Sequence, residues 1–221
     1  MRTLKTTLIA LFTLLVSIPA MAQDLSFEME MTSAKQKEPI IMKVKSKGTK
    51  IAMIPQFAGS QGQMTIIVDH AAKKQYMLMD GNGQKMAMVM EMTDIEKAIE
   101  QAKDPKITVT KETKVIDTYK CTKVISETEE NTSDMWLTQD LGLNYSDLYK
   151  MVTTNKSPAG GNYGMPAMKN IKGFPIQMII TDKKKGETTT INIRKISKAK
   201  VDDKVFSMEG YQMMDMGNMK H

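Results

Sequence analysis

A chain of 221 residues, 41% hydrophobic and 25% charged with a formal net charge of +6, carries enough apolar material for one domain with a sizeable core. Two of the positive charges, Arg2 and Lys5, belong to an expected leader, so the rest is too weakly basic for a dedicated nucleic-acid binder. Cys121 is the only cysteine and excludes an internal disulfide. In chain order, Arg2 and Lys5 precede an apolar run from Leu8 to Ile18, and Pro19, Ala20, Met21 and Ala22 supply small residues at a cleavage site. The expectation is export, periplasmic or secreted, with cleavage near Ala22–Gln23. The run falls well short of the ~20 residues that span a bilayer. No later stretch comes closer, so no membrane span is expected.

Beyond the leader the chain reads as short strands separated by turns. Leu25, Phe27, Met29 and Met31 alternate with polar residues, and Ile40, Met42 and Val44 alternate with Lys43, Lys45 and Lys47. Gly48 turns the chain into a strand over Lys50 to Ile54, expected to end at Pro55. Strands follow at Met64 to Asp69 and Gln75 to Asp80, and Asp80-Gly81-Asn82-Gly83 is a hairpin turn because its residues tolerate positive φ. Thr93 with Glu96 forms a capping box for a helix carrying Ile95, Ala98 and Ile99, which ends near Asp104–Pro105. Further strands are expected at Ile107 to Thr113, Lys120 to Glu127, Ser133 to Thr138, Ile176 to Thr181 and Thr188 to Ile196, with a short helix at Ser146 to Val152. The stretch from Thr153 to Phe174 reads as a long connection of the kind that forms a lid, a binding loop or a disordered insert, and as a lid it would gate a cavity. Consecutive hairpins with few helices predict a curled or closed antiparallel sheet, covered on its open side by one or two helices. The expected division is a signal peptide over 1–22, one domain over 23–211 and a Met-rich tail over 212–221.

Methionine supplies much of the apolar material: there are 23, while leucine occurs after residue 24 only at 25, 78, 137, 141, 143 and 148. Met29 and Met31, Met77 and Met79, and Met86, Met88 and Met90 recur at period two, which places each set on one strand face. Flexible thioethers can border a cavity for a greasy ligand or simply form a core. The candidate cavity residues are Met29, Met31, Met42, Met53, Met77, Met79, Met86, Met88, Met90 and Trp136. A second candidate is the tail, where Met213, Met214, Met216, Met219 and His221 offer soft ligands for Cu(I), against the alternative of a plain chain end. The lysines at 43, 45 and 47, and those at 183 to 185, read as solvated faces rather than a lipid head-group site. Catalysis has little support, and stays open only because folding can bring separate carboxylates together. His70 and His221 are the only histidines, and no phosphate loop, nucleophile elbow or metal-ligand spacing is present.

Several blocks in order carry a resemblance. They are Gly48 to Met53; Asp69 with Lys74, Tyr76 and Met77 to Asp80; Thr113 to Lys123; Trp136 to Thr138 with Asp140 to Gly142; Gly173 to Pro175; and Phe206 with Gly210 and Tyr211. Together they resemble an uncharacterised family of exported bacterial domains grouped with the outer-membrane lipoprotein carriers, the LolA-like half-barrels. Thr118 stands where that pattern commonly has glycine, and the proline usual near Glu209 is missing. The resemblance implies a mainly β, α+β fold, a strongly curved antiparallel half-barrel over helices enclosing an apolar cavity. It supplies no catalytic residue, no cofactor and no ligand set. The resulting expectation is a non-enzymatic exported protein that holds a lipid or lipoprotein acyl chain in a Met-lined cavity. The alternative is a Cu(I)-binding protein that uses its tail.

Overall fold

A computed structural model describes residues 24–34, 38–56, 62–92, 95–101, 103–153 and 165–215. The leader, Thr93 of the expected capping box, and Met216, Met219 and His221 of the tail lie outside the described residues. The strands are β1 (Leu25–Ser33), β2 (Ile40–Lys47), β3 (Lys50–Gln56), β4 (Gln63–Asp69), β5 (Lys74–Gly81) and β6 (Gln84–Glu91). After helix α1 (Ile95–Gln101) come β7 (Lys106–Ile116), β8 (Tyr119–Glu127) and β9 (Asn131–Thr138). Helix α2 (Tyr145–Val152), β10 (Phe174–Asp182), β11 (Thr188–Ser197), a 3-10 turn over Asp203–Phe206 and β12 (Gln212–Asp215) complete the order.

Turn chemistry explains the neighbours. Asn82 and Gly83 take φ of 54° and 75° between the paired Gly81 and Gln84, the left-handed pair that a two-residue hairpin needs. Such hairpins build two antiparallel meanders, β1 to β6 and β7 to β11, joined where β1 pairs with β11. Phe27 of β1 meets Phe174 of β10 edge-to-face across this seam, with ring centroids 5.9 Å apart. Pro55 does not end β3 but lies within it opposite Met42. The ladder of β3 to β4 stops at Met53–Ile66, so the proline sits where β3 has lost its second neighbour.

The expected half-barrel is not what the chain builds. One twelve-stranded sheet runs β12-β6-β5-β4-β3-β2-β1-β11-β10-β9-β8-β7, an open layer with two separate edges, neither closed nor strongly curled. The LolA-like curvature implied by the resemblance is therefore absent. Bulges and register breaks bend sheets. Here the ladders from β1 to β6 run without any. The interruptions fall at β1/β11, β9/β10 and β7/β8, all in the other half or at the seam. Nor is the sheet wholly antiparallel, because β12 returns to pair parallel with β6.

Each face has its own core. On the front, Phe27, Met29, Met31, Met42, Val44 and Met53 pack with α2 and with Met165, Met168 and Ile171. Met165, Met168 and Ile171, from the described part of the expected gate, are thus core material. On the back, Ala52, Ile67, Leu78 and Ala87 are covered by Val201 and Phe206 of the C-terminal strap. Lys47 holds the strap by donating to the Asp203 carboxylate at 2.7 Å, and Asp24 accepts from the Val201 backbone N–H at 2.7 Å. Helix α2 is set by Asp147, whose carboxylate accepts the backbone N–H of Asn144 at 2.7 Å, while the Asn144 side chain accepts from Gly173.

Candidate functional site

Strand pairing places the methionines directly, since residues opposed on neighbouring strands share a face. Met29 faces Met42, Val44 faces Met53, Met53 faces Ile66, Ile66 faces Met77, Met77 faces Met88, and Met79 faces Met86. All nine candidate methionines therefore lie on the front. They divide by burial. Met29, Met31, Met42 and Met53 are buried in the packed front core, and Met77 is buried beside it. Met79, Met86, Met88 and Met90 are only partly buried. Trp136 packs against the same cluster but from the other face of its strand. It alternates with the buried Met135 and Leu137, so it projects from the back, where the Lys114 ammonium lies 4.1 Å from its ring centroid.

The start of the tail is also divided. Met213 pairs with Ala87 and Met214 with Met88, so the two adjacent thioethers project from opposite faces. They cannot close on one ion. Met214 instead extends the row Met77–Met88 across one further strand.

The apolar depression that the structure does form lies at the opposite edge. Ile107, Val109 and Val115 of β7 are exposed, with Val109 and Val115 both at 69%. Their partners Ser126, Val124 and Lys120 put all three on the front, beyond the cover that α2 provides. Ile107, Val109, Val124 and Leu137 form the floor of a groove of about 550 Å³, walled by Asn170, Ile171 and Lys172. Lys120 and Lys172 stand at its mouth against one carboxylate, Asp140. Sequence reasoning placed β7 but not its edge position, and the signal available was the apolar alternation at 107 and 109. A larger hollow of about 880 Å³ at the far end of these strands is lined mainly by charged residues. There Lys103 meets Glu129 at 3.0 Å, Lys183 donates to the Thr128 carbonyl, and the Lys103 hydrogen bond pulls the Glu129 carboxyl below its usual range.

Two buried groups are structural. Burial pushes the Cys121 thiol up, opposed by the positive charge of Lys114, so the sulfur is held as a poorly nucleophilic thiol. Burial likewise raises the Tyr145 phenol well above normal, and its O–H donates to the Pro166 carbonyl at 2.8 Å, tying α2 to the connection before β10. Among the described residues, no group of three or more His, Cys, Asp or Glu is placed to hold a metal ion. Among them, too, no helix is long and apolar enough to cross a membrane.

A family model described as a domain of unknown function, DUF4412, matches residues 26–210. Among curated proteins, none matches the chain. Of solved structures, PNGF-II in a C2 crystal is similar at 13% identity with a TM-score of 0.46, covering 88% of this chain and 31% of that one. The chain spans about a third of the length of the PNGF-II structures it matches. A DUF1329 family protein from Desulfovibrio piger is similar at 12% identity and a TM-score of 0.28, covering 86% of this chain and 92% of that one. A proposed outer membrane lipoprotein-sorting protein domain from Vibrio parahaemolyticus is similar at 9% identity and a TM-score of 0.25, covering 84% and 89%. None of these structures lends a residue role to this chain.

Proposed function

The chain belongs to the DUF4412 family, a domain of unknown function, and from that premise we propose an exported, non-enzymatic binding protein that holds the acyl chain of an anionic amphiphile in the groove beside β7. The observation that carries this reading is the pair of exposed aliphatic side chains that line the groove, Ile107 and Val109, with the exposed Val115 further along the same side of the edge strand. Exposed apolar surface gathered in one place, rather than scattered, marks a binding site. The groove of about 550 Å³ falls within the ~300–1,000 Å³ usual for small-molecule pockets.

Binding draws on apolar burial, worth ~25 cal/mol per Å² before the ordering costs are deducted. Lys120 and Lys172 favour a carboxylate or phosphate head group at the mouth. The acyl chain therefore lies against β-branched residues at the edge, and not against the buried methionines of the front core.

The test is titration of delipidated protein with lysophosphatidylglycerol and with its uncharged-overall choline counterpart, followed by native mass spectrometry. One bound anionic lipid per chain is expected, lost in V109E/V115E and no longer preferred over the choline lipid in K120E/K172E. A wild-type chain that binds neither lipid, or a V109E/V115E chain that binds as tightly, refutes the reading.

A further inference from the structure

We propose a second site, for the soft monovalent ion Cu(I), on the thioether row formed by Met64, Met79 and Met86. It is independent of the groove and lies toward the other edge of the sheet. Met64 of β4 is opposed to Met79 of β5, and Met79 to Met86 of β6, so three sulfurs stand side by side on three consecutive strands of the front face. The outer two backbones are two strand spacings apart, ~10 Å. Each methionine has three rotatable bonds, so the outer two side chains can lean toward Met79 and bring the three sulfurs around one ion. All three line a single depression of about 320 Å³ next to the Asn82–Gly83 turn. They are partly buried, reachable from solvent yet backed by the sheet. Met79 and Met86 belong to neither packed core.

The donor set selects the ion. Three neutral thioethers neutralise no charge, which disfavours divalent ions, and soft sulfur favours Cu(I) over hard cations. Asp80 is the one carboxylate in the depression, and it is drawn to Lys85 at 3.4 Å, which weakens it as a competing hard ligand. Two residues along the strands, Met77, Met88 and Met214 form a parallel row. Binding is ligand exchange only: the ion arrives and stays monovalent, its previous ligands leave, and no electron is transferred.

The test is an anaerobic Cu(I) titration of the leaderless chain in competition with bicinchoninate. One retained ion per chain is expected. M64L/M79L/M86L keeps apolar character and nearly the same volume, and it is expected to lose that ion. Truncation after residue 215, which removes Met216, Met219 and His221, is expected to keep it. Because the triple variant could misfold, Ag(I) is also added to wild-type protein labelled at its methionine methyl groups. The resonances of Met64, Met79 and Met86 should shift together. No retained Cu(I) in the wild type, an undiminished ion in the triple variant, loss on truncation, or Ag(I) shifts confined to other methionines each overturns the proposal.

Discussion

At the β7 edge the uncovered front surface is built from valine and isoleucine, whereas toward the β12 edge it is built from methionine. β-Branched side chains are stiff at χ1 and make a wall of fixed shape. Unbranched thioethers adapt to what touches them and can also donate electron pairs. The edges are also protected differently. β7 is long but broken in register between Val109 and Thr113, with Lys106, Lys111 and Lys114 along it. β12 is only four residues long and held parallel to β6. Both arrangements discourage another strand from adding. The two apolar patches left uncovered on one sheet therefore differ in kind, one a stiff aliphatic wall and the other an adaptable surface of sulfur donors.

The sharpest way to break the contrast is at the seam. Phe27→Ala or Phe174→Ala removes one ring of a fully buried pair and is expected to cost about 3–5 kcal/mol in urea unfolding. Both ends should still unfold in one transition, since the front core is continuous from β4 to β10. Separate transitions would mean that the edges belong to two independent units. Next in size, Phe206→Ala should cost about 3 kcal/mol by opening the smaller back core. Hydrogen exchange should then quicken in β12 and β6 while lipid binding beside β7 is unchanged.

Smaller still, V109E/V115E should change stability by no more than about 0.5 kcal/mol, because both sites are exposed. It should leave Cu(I) retention intact while abolishing lipid binding, and M64L/M79L/M86L should do the reverse. The smallest effect is expected from acid. The hydrogen bond from Lys47 holds the Asp203 carboxyl below the usual carboxylate range. The stabilisation is therefore present above the unfolded value of ~3.9 and is lost as pH falls through the depressed folded one. Asp203→Asn should flatten the acid-side slope of the urea midpoint without moving the neutral value much. An unchanged slope would show that the strap is held by Phe206 and Val201 rather than by this pair.

Much of the strand inventory was legible because its signals are local. The alternation at Leu25 to Met31 and the Asn82–Gly83 turn need no partner to be read, and both appear in the structure. The common face of the methionines on each strand followed from period two alone. Other features were invisible for equally physical reasons. Gln212 to Asp215 has no turn linking it to β6, so its parallel pairing rests on the long-range docking of the strap that carries Phe206. Trp136 reads as a wall residue by size, but its neighbours Met135 and Leu137 take the inner positions and send it to the back. Of the candidate site, thioether supply was legible and the edge groove was not, since nothing in Ile107 or Val109 announces that no strand lies beyond them.

From sequence alone came most of the strand positions, most of the hairpin neighbours and which residues of a strand point the same way, because these depend on contacts a few residues apart. The curvature of the sheet, the identity of its two edges, and which apolar faces α2 and the C-terminal strap cover were decided only in three dimensions. Those outcomes turn on register breaks and on docking between segments more than a hundred residues apart, such as Lys47 on Asp203. Local periodicity cannot encode contacts of that range.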